Sequence, residues 1–254
     1  MKRLAAILAL VLILIVLISI AVETGGLFIL DGEDAGSTPW EWTSINNSGS
    51  ATFALDGAAK NNGSYGYTFT PDSTNTAYGR KTFTAIDEIY VRFYIFIPTG
   101  FNVGTGAGEY VDVAMFNAVL SDEIRFGIYT TSGGVPNSWR FWVNYTPQYS
   151  TTNFSLNSWH RIEIRYYKYA STGGGELWID GTSVLSDYDQ TISAQASSFY
   201  LGCELATSAP GAGDVLYFDD IKADTSPVGA YSSPAGWTNM PAALHAIIWR
   251  PAIL

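Results

Sequence analysis

The residues best suited to chemistry fall on alternating positions of short strand-like runs: Tyr90, Arg92, Tyr94, Phe96, Tyr110, Asp112, Arg125, Tyr129, Arg140 and Trp142. Flat aromatic rings stack on the apolar C–H faces of sugars, and guanidinium forks hold carboxylates or sulfates through paired hydrogen bonds. If these runs are neighbours in one sheet, the set forms a concave surface suited to a glycan chain, anionic chains included. Tyr94, Tyr129 and Trp142 are then the stacking platforms, and Arg92, Arg125 and Arg140 the anion or hydroxyl ligands, with Tyr90 and Tyr110 beside them. The alternative is that loops cover this face and the rings build a second small core.

A second constellation is acidic. Asp31, Glu33 and Asp34 lie near the first strand, and Asp219 and Asp220 on the last. Sandwiches commonly pair their terminal strands, so Asp31, Glu33 and Asp219 are candidate oxygen ligands for a structural Ca²⁺. The competing role is capping of turn amides. Cys203 is the one cysteine and His160 and His245 the two histidines, which excludes a disulfide framework, a cysteine knuckle and multi-histidine zinc. The net charge of −10 argues against nucleic acid as a partner, because phosphate binding needs clustered Lys and Arg. No residue is assigned a catalytic role.

The elements that must position these side chains are strands. Only 14% of the chain is charged while 47% is hydrophobic and 15% aromatic, the balance of an all-β protein with polar turns. Residues 89–97 alternate Ile89, Val91, Phe93, Ile95 and Ile97 against Tyr90, Arg92, Tyr94 and Phe96, and Pro98 with Gly100 ends the run. The same period predicts a core face of Val111, Val113 and Met115 over 110–116, and of Ile124, Phe126 and Ile128 over 123–129. Over 139–145 it predicts Trp139, Phe141 and Val143, and over 159–167 Ile162, Ile164 and Tyr166. A hairpin is expected around Asp180-Gly181, with further strands over 199–205 and 215–223. The fold class expected is an all-β, two-sheet antiparallel jelly-roll sandwich with an N-terminal hydrophobic signal or anchor helix.

Three parts are expected. Residues 1–21 join Lys2 and Arg3 to an apolar run with small residues at Ser19 and Ala21, the pattern of a signal peptide or an uncleaved membrane anchor. That places the protein outside the cell or at its surface, touching a membrane only through this segment. Residues 22–225 form the sandwich, and 226–254 a linker with an apolar tail. Asn46, Asn62, Asn144 and Asn153 begin N-x-Ser/Thr sequons.

Trp159-His160-Arg161-Ile162-Glu163-Ile164, followed by Gly175-Glu176-Leu177-Trp178-Ile179-Asp180-Gly181, resembles the concanavalin A-like lectin/glucanase superfamily, in particular its laminin-G-like members. Leu30-Asp31-Gly32-Glu33-Asp34 and Tyr217-Phe218-Asp219-Asp220-Ile221 resemble the terminal strands of such sandwiches. The resemblance implies a jelly roll over about residues 27–224 and a glycan-related role. The Glu-x-Asp-x-x-Glu strand of its glucanases is absent, and of the lyase set of His, Tyr, Arg and Gln, the groove holds Tyr and Arg. Fold alone does not choose among functions. The leading expectation is an exported carbohydrate-binding or adhesive module. Its alternatives are a polysaccharide lyase or hydrolase of the same fold, or a purely structural surface or virion protein.

Overall fold

The computed structural model describes residues 27–33, 41–72, 76–118, 122–169, 172–192, 194–206 and 215–228. The predicted signal or anchor segment and most of the apolar tail lie outside the described residues. Among these, no helix is long and apolar enough to cross a membrane.

The described residues form two antiparallel sheets. In chain order the strands are β1 (Phe28–Leu30), β2 (Ser44–Asn47), β3 (Thr52–Asp56), β4 (Gly66–Thr70) and β5 (Ala77–Ile86). Next come β6 (Glu88–Phe96), β7 (Tyr110–Ala118), β8 (Asp122–Tyr129), β9 (Ser138–Val143) and β10 (Thr146–Ser150). The last are β11 (Trp159–Tyr169), β12 (Thr172–Ile179), β13 (Thr182–Gln190), β14 (Ala196–Ala206) and β15 (Leu216–Asp224). One sheet runs β13-β12-β11-β6-β15-β4-β3, with β1 added on β15. The other runs β10-β9-β8-β7-β14-β5-β2. This is the expected two-sheet jelly roll.

Period-two alternation builds the core between the sheets. Val91, Phe93 and Ile95 from β6 and Ile162, Ile164 and Tyr166 from β11 face Ile124, Phe126, Ile128, Trp139 and Phe141 from the second sheet. Phe93 touches rings on both sides: Phe126 at 5.9 Å, Phe199 at 6.3 Å and Phe218 at 6.2 Å between centroids. Each such ring removes a large apolar area from water and interlocks by edge or tilt rather than by flat stacking. With the sandwich interior so filled, any recognition surface must lie on the outer sheet faces or the loops.

One predicted core position is corrected. A β-bulge between Asp112 and Ala114 shifts β7 against β8, so Ala114 and Phe116 join the core while Met115 turns outward opposite Arg125. A bulge adds one residue to one strand and swaps the faces beyond it. The pattern Val111, Val113, Met115 therefore breaks at its last member.

Candidate functional site

The outer face of the seven-stranded sheet gathers five of the predicted residues. Pairing places Tyr110 opposite Tyr129, Arg125 opposite Trp142, and Gly127 between Asp112 and Arg140. At the centre Arg140 is 1% and Asp112 3% exposed, and the two form a close ion pair. Arg125 approaches the same carboxylate at 3.6 Å. Burial pushes the Asp112 carboxyl up, against the pull of Arg140 and then Arg125. The Arg140 guanidinium lies 3.7 Å from the Tyr110 ring centroid and 4.8 Å from that of Trp142. A glycine at 127 makes this approach possible, since a Cβ there would sit 2.4 Å from the Val111 carbonyl oxygen and 2.8 Å from Asp112 Oδ1.

Arg140 is thus not the ligand-binding arginine the sequence pattern suggests. It is buried, and its charge is spent on Asp112 beneath aromatic cover. Its role is to brace the face on which other groups stand.

Those groups flank it on both sides. Toward β10, Tyr129 and Tyr149 hold their ring centroids 4.3 Å apart, with Tyr149 45% exposed. Trp142 is half-buried, with Arg125 5.9 Å above its ring and exposed Tyr145 at 6.3 Å. Tyr145 projects there because the Asn144–Tyr145 turn has positive φ at both residues (41° and 71°), the twist that suits a two-residue hairpin. Toward β5, Tyr78 and Tyr200 meet edge to face at 5.3 Å, and Arg80 lies 5.4 Å from the Tyr200 ring. A small cleft between these halves is lined by Tyr78, Asp112, Met115, Tyr200 and Gly202. Among the described residues Arg80 has no carboxylate partner, and its buried Nε makes no hydrogen bond.

Tyr78, Arg80, Met115, Tyr149 and Tyr200 belong to this face but not to the predicted set. Tyr200 was readable, since it alternates with Phe199 and Leu201 in a recognisable strand. Tyr78 and Arg80 alternate with Ala77 and Gly79, core positions too small to give an apolar period. Tyr149 sits in a five-residue strand containing Pro147, which reads as a loop.

Tyr90, Arg92 and Tyr94 do not join them. They lie on β6, in the other sheet, so the predicted eight residues do not share one face. Alternation is correct for each strand, but it cannot say which sheet a strand enters. Arg92 is buried, with Nη2 donating to the Asp220 carbonyl at 3.0 Å and the Tyr94 ring at 5.7 Å. The Tyr90 hydroxyl donates to Glu88 Oε1 at 3.1 Å, beside Trp178 at 6.2 Å.

The acidic residues proposed for Ca²⁺ hold a turn. Asp219 Oδ2 accepts from the Asn61 and Asn62 amides at 2.7 and 2.8 Å, and Oδ1 from the Asp220 amide at 2.8 Å. Glu33 Oε1 accepts from the Ser64 and Tyr65 amides, and Asp31 Oδ1 from the Glu33 amide. Among the described residues no three His, Cys, Asp or Glu side chains converge as a metal site. Burial and the neighbouring Asp220 push the Asp219 carboxyl up to about 8, although three amides favour its charged form.

No family model and no curated protein sequence matches the chain. Its backbone is similar to an endo-β-1,4-glucuronan lyase from the fungus Trichoderma reesei, with a TM-score of 0.56 and 14% identity over 79% of this chain and 96% of that one. The cellulose-induced protein Cip1 gives 0.59 and 13%, covering 80% and 100%. The chain has the concanavalin A-like jelly-roll fold. Part of a sialidase shares this jelly roll, with a TM-score of 0.55 and 11% identity over 81% of this chain and 19% of that one. At such identities the likeness is one of fold.

Proposed function

We propose that the outer face of the seven-stranded sheet binds a glycan chain, and that the protein is an exported carbohydrate-binding or adhesive module. The observation that carries this is the pairing of exposed Tyr149 on half-buried Tyr129, beside Trp142 and two partly exposed arginines, Arg125 and Arg80, over a buried Asp112–Arg140 base. Rings supply stacking, and the arginines favour carboxylate or sulfate substituents in a protein that is otherwise acidic. Solved neighbours of the same fold include a glucuronan lyase and a cellulose-induced protein, which supports a polysaccharide ligand.

The test is a polysaccharide binding screen beside Trp142→Ala and Arg125→Ala. Loss in both variants supports the reading; folded wild-type protein that binds nothing sinks it and leaves a structural surface role. A lyase is the second reading, favoured by tyrosines and arginines sharing this face and by the glucuronan lyase neighbour. It predicts ultraviolet absorbance from unsaturated uronate when glucuronan is supplied. A Ca²⁺ ion at Asp31, Glu33 and Asp219 belongs to this proposal, taking the place of their amide partners. Melting curves that coincide with Ca²⁺ and with chelator would remove it.

A further inference from the structure

The Asp180–Gly181 turn between β12 and β13 has positive φ at both residues (53° and 82°), the twist of a two-residue hairpin. It brings Asp180 beside His160 at the start of β11, where the imidazole is 5% exposed and packs edge-on against Trp139 at 5.3 Å. Asp180 Oδ2 lies 2.9 Å from His160 Nδ1, and Oδ1 accepts from the Arg161 amide at 2.8 Å. A carboxylate brings no hydrogen to such a contact, so Nδ1 carries one and a neutral ring keeps its lone pair on Nε2. Nε2 faces Ser155 Oγ at 2.9 Å and Ser158 Oγ at 3.0 Å, and the two hydroxyl oxygens are 2.6 Å apart.

The loop that carries these serines is fixed at several points. Trp139 Nε1 donates to the Thr152 carbonyl at 3.1 Å, and Asn153 Nδ2 to the Ile179 carbonyl at 3.1 Å. The Asn157 amide donates to the Ile97 carbonyl at 2.8 Å. Asn153 and Asn157 both have positive φ (55° and 56°), and between these bends Ser155 stands exposed to solvent while Ser158 is half-buried.

We infer that Ser155, His160 and Asp180 form a hydrolytic triad for small acyl esters, an activity that does not depend on the glycan reading. Ser155 is the nucleophile, His160 the general base, and Asp180 a positioning residue that holds the ring's tautomer and orientation. Ser155 Oγ bonds to the ester carbonyl carbon as its proton passes to Nε2. The carbon–alkoxy bond then breaks, the leaving oxygen takes that proton, and the alcohol departs. Water repeats the path on the acyl-serine: its proton goes to Nε2 and its oxygen to the carbonyl carbon. The bond to Oγ breaks, Oγ recovers the proton, and a carboxylic acid leaves. The Ser155 carbonyl oxygen, 3.0 Å from Nε2, faces the hydrogen that the ring gains at each step. The Ser158 hydroxyl, freed when Oγ is acylated, is the donor beside the oxyanion. Because Ser155 stands in the open, the fitting substrate carries an acyl group as short as acetyl, which needs no enclosing pocket.

The experiment is covalent labelling of the full chain with a fluorophosphonate, mapped by mass spectrometry, beside turnover of para-nitrophenyl acetate. Wild-type protein takes the label on Ser155, and Ser155→Ala loses it with an unchanged melting curve. His160→Gln slows labelling about 100-fold or more, the scale of a lost general base. Where that buried substitution unfolds the chain, Asp180→Asn, at a partly exposed position, replaces it: kcat for the acetate falls about 100-fold or more at unchanged KM. Folded wild-type protein that takes no label, a label on Ser158 instead, or full labelling and turnover in a folded His160→Gln or Asp180→Asn variant would overturn the triad.

Discussion

The two outer sheet faces use the same residue types to opposite ends. On the eight-stranded sheet, charges are consumed between strands. Arg165 pairs with Glu88 at 2.7 Å while lying over Tyr167 at 4.7 Å, and Glu176 accepts from Tyr188 and Ser183 at 2.6 and 2.7 Å. Arg92 is fastened to the Asp220 carbonyl. On the seven-stranded sheet, one buried pair, Asp112 and Arg140, carries the structural burden, and Tyr149, Trp142, Arg125 and Arg80 are arranged around it toward solvent. Arg125 shares the Asp112 carboxylate with Arg140, which leaves Arg80 as the arginine of this face with no carboxylate partner among the described residues.

Breaking the buried pair gives the largest expected effect. Arg140→Ala leaves the buried Asp112 carboxylate with Arg125 alone, at 3.6 Å, and costs about 3–5 kcal/mol in denaturant unfolding. A loss below about 1 kcal/mol would mean that the pair does not brace the face. Gly127→Ala drives a methyl against Asp112 and the Val111 carbonyl, costing about 1–3 kcal/mol. Unchanged melting would show that the bulged strand yields instead.

On the opposite sheet, Asp219 predicts a pH dependence. Its carboxyl is pushed up to about 8 by burial and Asp220. The folded state therefore holds a proton that the unfolded chain releases near about pH 4, and stability falls as pH rises between those values. In chelator-containing buffers, Asp219→Asn should flatten that slope; a slope that persists assigns it to another group. The smallest effect is at Arg165, part of a partly exposed pair, where Arg165→Ala costs about 0–1 kcal/mol. A larger loss would make this ladder as structural as the Asp112–Arg140 pair.

Sequence made one dimension of this architecture plain. Residues 89–97 and 161–167 reveal their inner and outer faces because the inward positions, Ile89 to Ile97 and Ile162 to Tyr166, are large and mostly apolar. It hid the dimension that decides the site, namely which strands are neighbours. Tyr94 and Trp142 look equivalent along the chain, yet they stand on different sheets, because pairing is settled by long-range packing. Small inward residues such as Ala77 and Gly79 concealed β5, and with it Arg80. The bulge at Asp112–Ala114 concealed the outward turn of Met115.

The most direct test of the two-face account pairs Trp142→Ala with Trp178→Ala in quantitative binding to a polysaccharide that the wild-type protein retains. Trp142→Ala is expected to weaken binding about tenfold or more, and Trp178→Ala to leave it within about twofold. Binding lost in Trp178→Ala and kept in Trp142→Ala would place recognition on the eight-stranded sheet and contradict the account.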